Sequence, residues 1–117
     1  MQIRKEQVLI DKAKSELPIS IYPEREILAK LREHFEDPTI TKATLFEIHK
    51  MMYMGDEGGI TCEIRTHGMN TAETEAVFLC SITHFRIRRG EPYYSELEKY
   101  RLKRIRRLAR QNRRRPF

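Results

Sequence analysis

The chain has 117 residues, of which 39% are hydrophobic and 34% are charged, and its net charge at pH 7 is +6. A chain of this length forms one small domain with a thin core, and it needs neither metal nor disulfides to be stable. No window approaches the ~20 consecutive apolar residues of a membrane-spanning helix, and the clustering of hydrophobic residues argues against a wholly disordered chain.

The first part of the chain predicts two helices separated by prolines. Residues 2–16 suit a polar helix, although the letters QVLID within it also suit a short strand. Pro18 and Pro23 interrupt the pattern. A helix then follows from Pro23, with apolar residues at helical spacing that are expected to face the core. These are Ile27, Leu28, Leu31 and Phe35.

The next segment, TITKATLFEIHKMMYMG, predicts another amphipathic helix, with Gly55 as its C-terminal cap. Leu45, Ile48, His49 and Met52 would share one face. The methionines in this segment fit either core packing or an adaptable binding surface, and this Met-rich helix is one candidate for contact with a protein partner.

After GDEGG the apolar residues alternate, which predicts a β-hairpin with a long polar loop, THGMNTAETE. A register that places the apolar side chains on one face sets three pairs opposite one another. These pairs are Ile60 with Ile82, Cys62 with Cys80, and Ile64 with Phe78.

The last predicted element is a basic helix from about residue 93, with Ser95 and Glu98 as a capping box. The final nineteen residues of the chain hold ten Lys or Arg and no acid. The first 98 residues carry 13 basic and 17 acidic residues, which gives them a net charge of −4. At about 100° per residue the cations share one face. They are Lys99, Lys103, Arg106, Arg107, Arg110, Arg113 and Arg114. The other face is predicted to carry Tyr94, Leu97, Ile105, Leu108 and Ala109, so the tyrosines of this region are interpreted as packing groups.

No residue pattern predicts catalysis, a metal site or a cofactor. Cys62, Cys80, His67 and His84 have the composition of a zinc site, but their spacing is not that of a zinc finger and the hairpin register keeps the histidines apart. There is no glycine-rich phosphate loop and no spacing that implies a nucleophile with a base.

Three stretches, GDEGGITC, SITHFRI and YRLKRIRRLARQN, give residues 50–112 a resemblance to small, functionally uncharacterised proteins of cyanobacteria. The resemblance implies a cytosolic protein and no particular activity.

The sequence therefore predicts an α+β fold, in which two or three helices pack on a two-stranded antiparallel β-hairpin and a long basic C-terminal helix follows. Residues 1–92 would form the body, with the hairpin at about 60–87, and residues 93–117 the basic helix and tail. The predicted function is a non-enzymatic, cytoplasmic nucleic-acid-binding protein that prefers RNA to DNA and contacts phosphates through its Arg-rich helix. The alternative is a regulatory adaptor that docks on an acidic protein surface through the basic helix, or on a partner through the Met-rich helix. No membrane partner is expected, and a homodimer through the hairpin edge stays open.

Overall fold

The structure, a computed structural model, describes residues 5–67 and 77–114. The helices are α1 (Lys5–Lys14), α2 (Leu28–His34), α3 (Gly55–Gly58) and α4 (Tyr94–Arg114). The strands are β1 (Ile19–Pro23), β2 (Phe46–Tyr53), β3 (Ile60–Thr66), β4 (Phe78–Ser81) and β5 (Phe85–Ile87). Most of the predicted polar loop, residues 68–76, lies outside the described part of the chain.

The five strands form one antiparallel sheet in the order β4-β3-β2-β1-β5. β4 and β5 lie at opposite edges of this sheet, yet only the 3-10 turn Ile82–His84 separates them in sequence. Three residues span a short distance, so the sheet must curl until its two edges approach each other. The result is a half-barrel with three helices longer than one turn, and the predicted fold of helices packed on a two-stranded hairpin is wrong.

β2 occupies the segment predicted as the Met-rich helix. The strand contains a β-bulge: Ile48 pairs with Ile64 and Lys50 with Glu63, so His49 is the extra residue. The bulge changes the spacing of the buried residues from two, between Phe46 and Ile48, to three, between Ile48 and Met51. A spacing of three imitates a helix, which explains the wrong prediction. The predicted Met-rich helix is therefore a strand, and any partner of this segment would meet a strand rather than a helix.

The register predicted for β3 and β4 is confirmed, because Cys62 pairs with Cys80 and Ile64 with Phe78. The predicted length of the second strand is wrong. Ser81 ends β4 and accepts a hydrogen bond from the Thr83 amide at 3.3 Å, which starts the 3-10 turn. The chain then crosses to the far edge of the sheet, where β5 pairs with β1.

One face of the half-barrel carries most of the hydrophobic core. Residues directly opposite on neighbouring strands, such as Ile21 with Phe46 and Ile48 with Ile64, are buried together. The residues predicted to face the core from this region do so: Leu28 and Leu31 of α2 are buried, as is Ile27 in the 3-10 turn before it, and Phe35 just after α2 is partly buried. α1 contributes Ile10 and Ala13, and α4 contributes Leu97.

The paired thiols of Cys62 and Cys80 are free and lie on this core face. Burial raises the pKa of Cys62, and it raises the pKa of Cys80 from an ordinary value of 9.0 to about 12. The raised pKa means that both groups stay protonated in the folded protein at neutral pH, and protonated thiols are poor nucleophiles.

We expect folded protein at pH 8 to react with iodoacetamide about 1,000-fold more slowly than protein unfolded in urea, since three pKa units lower the thiolate fraction by that factor. Stability should fall as the pH rises from about 9 toward 12, because the unfolded thiols ionise first. Timed alkylation read by mass spectrometry tests the rate. Equal rates in folded and unfolded protein would contradict the burial of these thiols.

Candidate nucleic-acid interface

α4 begins at Tyr94, where the Leu97 amide donates to the Tyr93 carbonyl at 2.9 Å. Ser95 therefore lies inside the helix, and the predicted capping box is wrong. The Glu98 carboxylate instead accepts a hydrogen bond from the Ile87 amide at 2.7 Å. That amide lies on the outer edge of β5, so α4 runs along one edge of the half-barrel and satisfies a donor that the sheet leaves unpaired.

Arg101 fixes α4 to the turn that joins the two sheet edges. It is buried, donates to Glu98 at 3.1 Å through Nη2 and donates to the Thr83 carbonyl at 3.3 Å through Nη1. Arg104, one helical turn later, is also buried. These two arginines lie on the docked face together with Leu97 and half-buried Leu108, whereas Ile105 and Ala109, predicted for that face, are exposed.

The opposite side of α4 carries a row of exposed cations, which we call the basic stripe. Its described members are Lys99, Lys103, Arg106, Arg107 and Arg110. Arg113 and Arg114 belong to the helix, but their side chains lie outside the described part of the structure. Eleven residues at 1.5 Å per residue give the five described cations a length of roughly 16 Å.

The stripe keeps its charge available. Among the described residues, no ion pair joins Lys99, Lys103, Arg106 or Arg110 to a carboxylate. Of the two acids in α4, Glu98 is occupied by Ile87 and Arg101, and Glu96 is exposed. Four of the five described cations can therefore attract an anionic partner without first breaking an ion pair to a described carboxylate.

α1 widens this cationic surface, which the sequence did not predict. A groove of about 500 Å³ separates α1 from α4, with Val8, Leu9, Tyr93 and Tyr100 contributing apolar surface. Its lysines are Lys5 and Lys12 from α1 and Lys99 and Lys103 from α4, and its two carboxylates are Glu6 and Glu96. The lysines of α1 were visible in the sequence, but only the fold shows that α1 lies beside α4.

A smaller cavity of about 140 Å³ lies at the inner border of the stripe. It is lined by Glu6, Tyr53, Tyr100, Lys103, Arg104, Arg107 and Arg110. Burial raises the pKa of Tyr100, so its hydroxyl stays protonated at neutral pH. Four cations and one carboxylate line this cavity, so it extends the positive potential of the stripe toward the core.

Two side chains of α4 contact Gly59, which leaves room for them because it has no side chain. A Cβ atom at Gly59 would lie 2.5 Å from Nε of Arg104 and 2.9 Å from the hydroxyl of Tyr100, and the φ of Gly59 is +64°. The side chains of Arg104 and Tyr100 therefore reach the backbone of the residue that lies between α3 and β3.

We expect Gly59→Ala to destabilise the protein by about 2 kcal/mol, from overpacking and from a backbone conformation that alanine avoids. Gly90→Ala is the matched control, because Gly90 also has a positive φ, +95°, but has no atom near its built Cβ. Urea unfolding of both variants measures the difference. Equal losses would show that contact with α4 is not what requires glycine at this position.

The residues that composition suggested for a metal site are not brought together. His67 lies 3.1 Å from Glu47, and His84 lies 3.4 Å from Glu26 on another part of the fold. In residues 5–67 and 77–114, no group of three or more His, Cys, Asp or Glu side chains is arranged to hold a metal ion. The same described ranges contain no helix whose length and apolar content would carry it across a bilayer.

Comparisons with family models, curated proteins and solved structures gave no match to this chain. The resemblance to cyanobacterial proteins thus stays a prediction.

Proposed function

We propose that this protein binds nucleic acid, RNA in preference to DNA, through the basic stripe of α4, and that it acts in the cytoplasm without catalysing a reaction. The observation that carries the proposal is the row of exposed cations along one side of a docked helix, four of them with no carboxylate partner among the described residues. Arginine predominates in the stripe toward its end, and a guanidinium pairs with phosphate oxygens in a bidentate way that an ammonium cannot.

The preference for RNA is supported by shape. An exposed rod of arginines suits the phosphates of single strands and of folded RNA, and it recognises them without reading base edges. Within the described part of the chain, α4 is the helix with this charge density. Strands β3 and β4 carry no comparable row of cations in their described residues.

Salt dependence tests this proposal directly. If each of the five described stripe cations contacts one phosphate, the logarithm of the affinity for single-stranded RNA should fall with the logarithm of salt concentration at a slope of roughly −3.5. Fluorescence anisotropy with a labelled RNA decamer, from low to high salt, measures the slope. A slope shallower than about −1 would contradict a contact made through the stripe.

A second candidate function is a regulatory adaptor that binds an acidic protein surface. The α1–α4 groove favours it, because apolar side chains beside four lysines and two glutamates, a net positive lining, suit an acidic amphipathic segment. A pull-down from nuclease-treated lysate separates the two candidates. A protein that stays bound after nuclease treatment, at one-to-one stoichiometry, favours the adaptor, whereas loss of all bound material favours nucleic acid. A homodimer through the outer edge of β4, where Leu79 is exposed, stays a further proposal.

A further inference from the structure

A further cavity lies beside α4, away from the basic stripe, and is larger than the two cavities described above. It has a volume of about 740 Å³, within the range of small-molecule sites, and we call it the β5–α4 cleft. Its lining comes from β1, β5 and the residues after it, the loop before β2, and the first turns of α4. The lining residues that carry the argument are Tyr22, Lys42, Arg86, Arg88, Arg89 and Tyr94.

The charges in the cleft are unbalanced. Its one carboxylate, Glu98, already binds Arg101 and the Ile87 amide. Lys42, Arg88 and Arg89 are exposed, and no described carboxylate forms an ion pair with them. Three cations therefore face a cleft whose only acid is occupied, which favours an anionic ligand.

These cations are attached to rigid backbone. The Arg88 amide donates to the Ser20 carbonyl at 3.0 Å, which extends the pairing of β5 with β1 by one residue. Arg89 follows directly and precedes Gly90, whose positive φ turns the chain toward α4. A cation held on a fixed backbone loses less conformational entropy when it binds a phosphate.

The cleft also presents a flat platform. Tyr22 and Arg86 are opposite each other in the register of β1 and β5, and Cζ of Arg86 lies 5.8 Å from the centroid of the Tyr22 ring. Arg86 is held there by Glu24, at 2.9 Å, and by the Lys42 carbonyl, at 2.6 Å. A guanidinium fixed over an aromatic ring provides a surface on which a planar base can stack.

We propose that the β5–α4 cleft binds a nucleotide, with its phosphate held by Lys42, Arg88 and Arg89 and its base stacked against Tyr22 and Arg86. The site is separate from the basic stripe, because Tyr94, Glu98 and Arg101 line the cleft from another side of α4. The proposal does not depend on RNA binding by the stripe.

Isothermal titration of the full chain with adenosine 5′-monophosphate tests the site. Adenosine lacks the phosphate and inorganic phosphate lacks the ring, so each should bind at least about tenfold more weakly than the nucleotide. If adenosine 5′-monophosphate shows no saturable binding, or binds no better than phosphate alone, the proposal is overturned.

Two pairs of variants locate the binding. Arg88→Glu with Arg89→Glu should weaken nucleotide binding at least about tenfold, whereas Arg106→Glu with Arg110→Glu, the same charge change on the stripe, should leave it within about twofold. Tyr22→Phe should retain binding and Tyr22→Ala should reduce it to the level of phosphate alone. Equal effects of the two double variants would overturn the assignment to the cleft.

A free nucleotide and a nucleotide unit of a bound strand offer the cleft the same chemistry, and a 5′-phosphorylated RNA decamer separates them. If Arg88→Glu with Arg89→Glu weakens binding of the decamer as well, the cleft holds a unit of the strand. If it weakens only adenosine 5′-monophosphate, the cleft serves free nucleotides. Both results support the cleft as a nucleotide site. The Arg106→Glu with Arg110→Glu variant separates this site from the proposed function, because it should lose RNA binding and still bind adenosine 5′-monophosphate.

Discussion

Replacing Arg106, Arg107 and Arg110 with glutamate is expected to abolish RNA binding at ~150 mM salt. At this salt concentration, exposed charges more than about 8 Å apart are already screened from one another. The triple variant removes three positive charges from the stripe and adds three negative ones, so contacts that attract phosphates become repulsive. We expect the affinity for a labelled RNA decamer to fall by at least about 100-fold. Since these side chains are exposed, the variant should keep its fold.

The control is a second triple variant with the same change in net charge. Lys14, Arg25 and Lys30 are exposed, and they line neither the β5–α4 cleft nor the cavities beside α1 and α4 described above. Changing these three to glutamate should weaken RNA binding only slightly, through the long-range field. If both triple variants lose binding equally, net charge rather than the stripe is responsible. If the stripe variant binds as well as the parent protein, the assignment of the site is wrong.

Glu98→Ala is expected to lower the free energy of unfolding by about 3–5 kcal/mol. This loss should exceed that of any other single substitution proposed for this protein. Glu98 and Arg101 form a nearly buried pair, with 15% and 6% of their side chains exposed. Removing the carboxylate leaves the Arg101 guanidinium without its counter-charge and the Ile87 amide without an acceptor. Both costs are paid in the folded state only, so the free energy of unfolding should fall.

Urea unfolding followed by circular dichroism measures the loss, and two variants calibrate it. Glu96→Ala removes an exposed carboxylate from the same helix and should change stability by less than about 0.5 kcal/mol. Glu98→Gln keeps an oxygen that can accept from Ile87 but removes the charge, so its loss should lie between the other two. A Glu98→Ala protein as stable as Glu96→Ala would show that this pair does not hold α4 to the sheet.

The sequence predicted local features of the sheet but not its extent. The cross-strand register of β3 and β4 followed from alternating apolar residues, and it is correct. β1 was read as an interruption between helices, because its five residues are bordered by prolines and its partners lie far away in sequence, in β2 and β5. The break after β4 did leave a signal: Phe78, Cys80 and Ile82 alternate in one phase, whereas Phe85 and Ile87 alternate in the other.

The sequence predicted a row of cations on α4 but not how the helix docks on the sheet. Helical periodicity placed the described stripe cations on an exposed side of α4 and Leu97 on the docked side, but it also assigned the exposed residues Ile105 and Ala109 to the docked side. It placed no arginine on the docked side, because a buried arginine is rare and is recognised only through its partners. Arg101 is buried against Glu98 and the Thr83 carbonyl. Thr83 belongs to the 3-10 turn between β4 and β5, which exists only in the folded sheet. The β5–α4 cleft assembles residues from positions 22 to 101, and no local pattern links them.

The order of the strands has a consequence for synthesis of the chain on the ribosome. β1, β2 and β3 can pair as soon as residue 66 is made, but the outer edge of β1 has no partner until residues 85–87 emerge. α4, which covers the outer edge of β5, is made later still. A growing chain therefore presents an open strand edge between the synthesis of residue 66 and that of residues 85–87, and a chaperone that shields such edges would act in that interval.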